Sequence, residues 1–471
     1  MVDAAAGGVD TPAMVGWAAL AGLLPRGRGR KGVGGIICIL VALVVPRADA
    51  GSRWTNPVAL APSGFSAEWM QVVGRPDGDK IATWSLDQGV YASIKAAGAS
   101  HWGDPQLLSQ TSRDESVQDI AVASSGRSVI VWQDDTSLGV YDRPLRWALL
   151  KPGARRFGAE RTMPGVRDPA SFIPQVVATP SGAFVAVWEG VRMQGQQRFS
   201  SAWASTLHSA GEHWSTPQLL SRGKSLATPE ALQVAPDGTV FDVWTDPTGL
   251  FVSRLVPGAR RWREPIRISP RGGTPTIGIG TDGTVAVAWS SNGVYAVVES
   301  PGASHFSMPV RLWKPHTDAF EDSVSLAVGA DGRATAIWTE LVGSHRTVVT
   351  ALQPGEIGGT SYLATRPAGA VRWTKAIRFR PAGGSTSGVS LAWTSGGTLV
   401  AGWFRPNPIA GSTDWLVESA SRRASSHKWS ARALIADRAS RPSAFSLTAT
   451  ASSILANWSD RRLVTATQTG R

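Results

Sequence analysis

VAPDGTVFDVWTD, residues 234–246, contains a glycine turn, an apolar run, a tryptophan six residues after the glycine, and an acid just beyond it. Alone it reads as one β-hairpin: Asp-Gly bends the chain, and the β-branched and aromatic residues that follow suit a strand. The same interval recurs eight times. Gly78, Gly126, Gly182, Gly238, Gly283, Gly332 and Gly397, with Ser452 in the eighth glycine's place, precede Trp84, Trp132, Trp188, Trp244, Trp289, Trp338, Trp403 and Trp458. One local motif repeated about every 45–65 residues defines an array of equivalent units.

A second series interleaves with the first. It runs WTNPVAL at Trp54, WGDPQLL at Trp102, FGAERTM at Phe157, WSTPQLL at Trp214, WREPIRI at Trp262, FSMPVRL at Phe306, WTKAIRF at Trp373 and WSARALI at Trp429. Two more strand-like runs lie between the series, such as ALQVA before Gly238 and LFVSRLV after Trp244. Each unit therefore has an inner strand, a Gly-to-Trp strand, a third strand and an outer strand led by an aromatic. Four antiparallel strands at this period describe a propeller blade. The expected fold is all-β: a single eight-bladed β-propeller over residues 51–471, with a seven-bladed ring as the alternative.

The two ends of the chain fit together. An outer-strand motif at Trp54 has no strands before it, and the third strand RLVTATQ (462–468) has no outer strand after it. Pairing them completes blade 8 and removes two sheet edges. Blade faces stack on one another, so both faces of TVAVAW are expected to be buried. Small Ala286 and Ala288 then oppose large Val285, Val287 and Trp289, which makes the repeated tryptophans core residues.

With KAAGASHWGDP (95–105) and VPGARRWREP (256–265), the repeat resembles the hairpin of sialidase-type propellers, whose Asp-box sets a glycine and then a tryptophan after a turn. The glycine of that box usually stands four residues before the aromatic, and its Ser and Asp are missing here. The openings Pro76-Asp77-Gly78 and Pro236-Asp237-Gly238 are also similar to the PD-type repeats of TolB-like propellers. Both resemblances imply a blade type and no reaction. A sialidase further needs an arginine triad, a Tyr–Glu nucleophile pair, an acid/base Asp and an Arg-Ile-Pro-like segment, and that segment is not found. Tyr91, Tyr295 and Tyr362 stand 11 residues before an aromatic anchor, as do Phe251 and Trp203, which reads as a repeated packing position.

Residues 1–50 differ from the rest. Arg26, Arg28, Arg30 and Lys31 precede GVGGIICILVALVV, and Ala48-Asp49-Ala50 ends the segment, the order of a secretory signal with an N-terminal extension. The uncharged stretch from Gly32 to Pro46 is 15 residues, short of the roughly 20 a spanning helix needs. Cleavage near Ala50, a secreted or envelope-associated location and no membrane span are expected. Cys38 is the only cysteine and lies in the leader, so no disulfide staples the exported part. The net charge of +12 admits nucleic acid, anionic glycan or an envelope surface as partners. Because arginine is spread over every repeat, and no basic helix or RNA-binding motif occurs, it reads as compositional bias without nucleic-acid binding.

From each blade tryptophan to the next outer aromatic the interval is 18, 25, 26, 18, 17, 35 and 26 residues. That variation lies in the loop between second and third strands, on the face opposite the glycine turns, where binding is usually found. The pattern short, long, long, short repeats, so blades 2 and 3 face blades 6 and 7 across the ring and two walls flank a groove. If RTVVTAL (346–352) is blade 6's third strand, its insertion moves to the other face.

Ligand-binding candidates in these loops are Tyr141, Arg143, Arg192, Arg198, Phe199, Arg346, Arg405, Asp414 and Trp415, aromatic faces with polar groups for sugars and arginines for carboxylates. Asp134, Asp135, Glu189 and Glu340 are the candidate catalytic carboxylates of a hydrolase. The acids that follow a blade tryptophan, among them Asp246, are read as turn caps. There is no HExxH, nucleophile elbow or phosphate loop, so neither a metal nor a cofactor is expected. The reading is a secreted, monomeric, non-catalytic propeller that binds an extracellular glycan or protein. Its alternatives are a sialidase-like glycoside hydrolase and an envelope protein-interaction scaffold of TolB-like type.

Overall fold

In a computed structural model of the chain, the described residues form eight sheets of four strand positions each, arranged as one closed ring. The structure describes residues 53–469 except 61–67, 87–88, 111–117, 134–143, 165–169, 195–196, 210, 222–225, 317–318, 322–323, 343–358, 383–385, 409–413, 440–442, 450–452 and 460–462. The leader read in residues 1–50 lies outside them.

Blade 1 shows the common order. Its inner strand Glu68–Gly74 pairs with Lys80–Leu86, which pairs with Gly89–Lys95, which pairs with the outer strand Gln106–Gln110, all antiparallel. Inner strands contact one another in sequence around the ring, and the first meets the last. The ring therefore has eight blades, and the seven-bladed alternative falls away. Closure occurs at blade 8, where Leu463–Thr469 pairs with the N-terminal strand: Trp54 faces Gln468, and Val58 faces Thr465. The Trp54 indole N–H donates to Ser419 Oγ of blade 7 at 2.9 Å, which anchors the closing strand to its neighbour.

Why each unit turns where it does is visible in its glycines. Gly78, Gly126, Gly182, Gly238, Gly283, Gly332 and Gly397 have φ between +73° and +92°, a left-handed conformation that favours glycine. The preceding aspartate fixes the turn: Asp77, Asp237, Asp282 and Asp331 each accept the backbone N–H two residues on, at 2.8–3.1 Å.

The eight blade tryptophans are all less than 2 % exposed. Each points toward the preceding blade. Val285, Val287 and Trp289 pack on blade 4, while Ala286 and Ala288 face blade 6 and receive Trp338. Large side chains thus enter the space that small ones leave, and such close packing is what makes losing a buried tryptophan cost about 3–5 kcal/mol. On the next strand Tyr91, Phe251, Tyr295 and Tyr362 stack on the blade tryptophans at 4.4–6.4 Å between ring centres, the packing role expected of them.

Polar side chains tie the blades together at two levels. Near the channel, Gln71, Asp119, Gln175, Ser325 and Ser390 each accept a backbone N–H from the next blade's inner strand, at 2.7–3.2 Å. On the glycine-turn face arginines reach across the seams. Arg127 donates to the carbonyls of His208 and Ser209 at 3.1 and 2.6 Å and to that of Gly211, and Arg75 donates to the Ala154 carbonyl at 3.1 Å. Several of the chain's many arginines are therefore structural.

Candidate functional site

The hairpins between second and third strands open on the face opposite the glycine turns. In blade 4 the second strand ends two residues after its tryptophan, at Asp246, whereas in blade 3 it runs to Gln194, six residues after Trp188. Four more residues at ~3.3 Å each raise the blade 3 hairpin by about 13 Å. Blade 7 is also lengthened, with strands Thr398–Pro406 and Trp415–Arg423 and a further bond from the Asn407 N–H to the Asp414 carbonyl at 3.0 Å. Blades 3 and 7 stand four units apart in a ring of eight, on opposite sides of the axis. In blade 6 the third strand is Thr360–Arg366, so the connection from the second strand leaves and returns on the face of the other long hairpins; RTVVTAL lies outside the described residues.

Beneath the blade 3 hairpin, acids meet in the seam with blade 4. Glu189, buried, accepts from Thr228 Oγ1 at 3.3 Å, and the Thr245 hydroxyl donates to Glu230 at 3.3 Å. Burial pushes the Glu230 carboxyl up to about 7 against the hydrogen bond from Thr245, and the charge of Glu189 pushes the same way. Asp242, one strand away, is fully buried, and neither of its oxygens has a partner among the described residues. Burial, and then Glu230, hold its carboxyl well above the usual range.

Two further clusters occupy other seams. Glu340, buried, is contacted by the imidazole Nδ1 of His316 and by the His316 backbone N–H at 3.4 Å. Burial raises the Tyr362 hydroxyl, as does the charge of Glu340. In blade 7, Glu418 receives Arg405 through Nε at 3.0 Å and Nη2 at 2.8 Å, and the Trp403 indole N–H at 3.1 Å. That bidentate pair joins the two strands of the long hairpin.

The predicted residues fall in different places. Asp134, Asp135, Tyr141, Arg143 and Arg346 lie outside the described residues. Glu189 faces the seam between blades 3 and 4 and Glu340 the one between blades 5 and 6, so these two carboxylates are not neighbours. Arg192 and Arg198 sit in the raised hairpin, where Arg192 pairs with Phe199 and Met193 with Arg198. Phe199 is 9 % exposed and belongs to the packed interior. Trp415, half-buried, packs beside blade 8, next to Asp414. Of the post-tryptophan acids, Asp246 caps its turn, accepting from the N–H groups of Thr248 and Gly249 at 2.7 and 3.1 Å.

Sequence reasoning passed over Glu230, Asp242, His316 and Glu418. A signal existed for one of them: two residues before the blade tryptophan the other repeats carry Ala82, Ile130, Ala186, Val287, Ala336, Ala401 and Ala456, and Asp242 alone breaks that column. Among the described residues no three His, Cys, Asp or Glu side chains converge to hold a metal ion, and no helix is long and apolar enough to cross a membrane. A crevice of about 820 Å³ opens away from the long loops, between blades 3 and 4 on the glycine-turn face, lined by Thr206, His208, Leu255, Pro257 and Arg260.

No family model matches the chain, and no curated protein does. Solved structures similar to it include trans-sialidases, a β-propeller domain, a polysaccharide lyase and a puromycin hydrolase. A polysaccharide lyase of family PL25, an ulvan lyase bound to a glucuronate–rhamnose sulfate disaccharide unit, is 9% identical with a TM-score of 0.48, covering 89% of this chain and 96% of that one. The β-propeller domain of Cps50 (Swd1) from Myceliophteria thermophila is 8% identical, TM-score 0.45, covering 89% and 99%. The intramolecular trans-sialidase of Ruminococcus gnavus is 10% identical, TM-score 0.39, covering 76% and 93%. The chain is an eight-bladed β-propeller, and no activity passes to it from likeness at this level.

Proposed function

We propose that the protein is a secreted, non-catalytic propeller that binds an extracellular glycan or protein through the loops opposite its glycine turns. The observation that carries this reading is the pair of lengthened hairpins of blades 3 and 7, on one face and on opposite sides of the axis, with Trp415 half-buried at the foot of one of them. Raised loops on a closed scaffold supply shape without weakening the ring. The test is binding of the purified protein to an array of sialylated, uronic and neutral glycans, with reducing-end release assayed in parallel. Binding without release supports the reading, and substitution of Trp415 by alanine then weakens it about tenfold, the usual weight of one aromatic contact. Silence toward every glycan directs the search to protein partners.

A second reading, a sialidase-like hydrolase, is favoured by one juxtaposition: the charge of Glu340 acts on the Tyr362 hydroxyl, the residue types of a Tyr–Glu nucleophile pair. Against it, Glu340 is buried and Arg405 is held by Glu418. Release of sugar that disappears on Tyr362→Phe would favour this reading over the first.

A further inference from the structure

The glycine-turn face also carries the hairpins that join third and fourth strands. The seven hairpins of blades 1 to 7 and the paired chain ends of blade 8 share one hydrogen bond. The N–H of the residue after the outer aromatic donates to a third-strand carbonyl: Gly103 to Ile94, Gly158 to Leu149, Ser215 to Thr206, Arg263 to Arg254, Ser307 to Val298, Thr374 to Thr365, Ser430 to Ser421 and Thr55 to Thr467, at 2.7–3.0 Å. This bond fixes the residue just before each aromatic at an equivalent place near the hairpin tip. That residue is basic in every blade: Arg53, His101, Arg156, His213, Arg261, His305, Arg372 and Lys428. All but Arg53, whose side chain lies outside the described residues, are exposed.

Five of the eight are arginine or lysine and three are histidine, so part of the positive charge read from the sequence as diffuse bias falls, at this position, into a ring. Neighbouring acids reduce this charge: Glu212 pairs with Arg161 at 3.0 Å and also faces His213, Glu299 faces His305, and the turn aspartates Asp77 and Asp331 pair with Arg75 and Arg333 of their own turns. Asp104 and Glu264 stand two residues after the aromatic, the place Met308 holds in blade 5, and Glu160 stands three after it, so acids share these hairpins with the basic residues. Arg156, Arg261, Arg372 and Lys428 make no ion pair among the described residues, unlike the seam arginines, whose donors are bonded to carbonyls. Two of the same hairpins also expose apolar side chains, Met308 at 83% and Val371 at 86%.

We propose that this face docks on an anionic phospholipid surface, with the ring of basic tips reading head-group charge and Met308 and Val371 entering the interface. Equivalent positions around one ring end lie at one height, so the charges are coplanar and match a plane of anions. A linear polyanion laid across the same ring meets only a few tips at once. Exposed apolar side chains beside the basic ones add what a soluble polymer does not reward. Such docking leaves the long-loop face pointing away from the surface, free for its own ligand.

The experiment is co-sedimentation of the full chain with vesicles of phosphatidylcholine containing phosphatidylglycerol, and with pure phosphatidylcholine, at low and high salt. Binding is expected to the anionic vesicles only, and to weaken with salt. Replacing Arg156, Arg261, Arg372 and Lys428 together by glutamine lowers the partition constant ~10²–10³-fold, about fivefold for each charge removed. A charge-matched control, Arg271, Arg311, Arg378 and Arg380 to glutamine, lies on the outer strands and the opposite face and changes it less than about tenfold. Both variants should melt with the parent, since the exchanged side chains are exposed. Equal loss in both variants overturns the ring and leaves only net charge. Failure of the parent to bind anionic vesicles, or binding to heparin or duplex DNA with none to vesicles, overturns the lipid surface.

Discussion

Asp242→Val should stabilise the protein, by an amount that grows with pH. Asp242 is 0 % exposed, its two oxygens have no partner among the described residues, and valine or alanine fills the same position in six other blades. Burying a carboxyl that makes no hydrogen bond costs about 1–3 kcal/mol even when neutral. Ionisation adds a second contribution. Burial and Glu230 raise the folded carboxyl, so the native state keeps a proton that the unfolded chain releases above pH ~4. Unfolding thus becomes easier as pH rises, by about 1.4 kcal/mol per pH unit, until the folded group itself ionises. The variant lacks this slope. The gain is about 1–3 kcal/mol at pH 4 and grows by about 1.4 kcal/mol for each pH unit above it while the folded carboxyl stays protonated. Urea unfolding of both proteins at pH 4, 5, 6 and 7 reads it directly. A variant no more stable than the parent at pH 7, or a gap that stays constant across the series, would refute the reasoning and mean that Asp242 is solvated or ionised in the fold.

Two more outcomes follow from the seams and the closure. Arg127→Ala removes three donations to the blade 3 hairpin carbonyls. It should cost about 2–4 kcal/mol and speed hydrogen exchange at residues 208–213, and unchanged exchange there would count against the staple. Removing residues 1–60 takes away the strand that pairs with Leu463–Thr469 and the Trp54 anchor. The loss of that tryptophan alone is worth about 3 kcal/mol, and the freed edge should cause self-association visible by light scattering. A truncated protein that stays monomeric and melts with the parent would show that blade 8 does not need its outer strand.

The sequence alone determined the architecture because its carriers are local and repeated. A left-handed turn favours glycine, a blade seam takes a tryptophan against small residues, and eight copies of that spacing point to eight blades, with Trp54 left over to close the ring, while the contact of first and last inner strands removes the seven-bladed alternative. It also located the variable connection, since loop length is a count of residues. The tertiary structure decided what each side chain meets. Blade 6's choice between RTVVTAL and Thr360–Arg366 depended on pairing with Ala334–Val342, which no local pattern encodes. Arg405 was read as a free cation, yet its partner Glu418 is 13 residues on and comes alongside only through hairpin register. Phe199 was read as a platform, but a strand's two faces are told apart only when a neighbouring blade covers one of them. The basic ring is the reverse case: all eight residues stand in the sequence one place before an aromatic. Only the shared hairpin bond, by setting them at equivalent points around a closed ring, turns a composition into a surface.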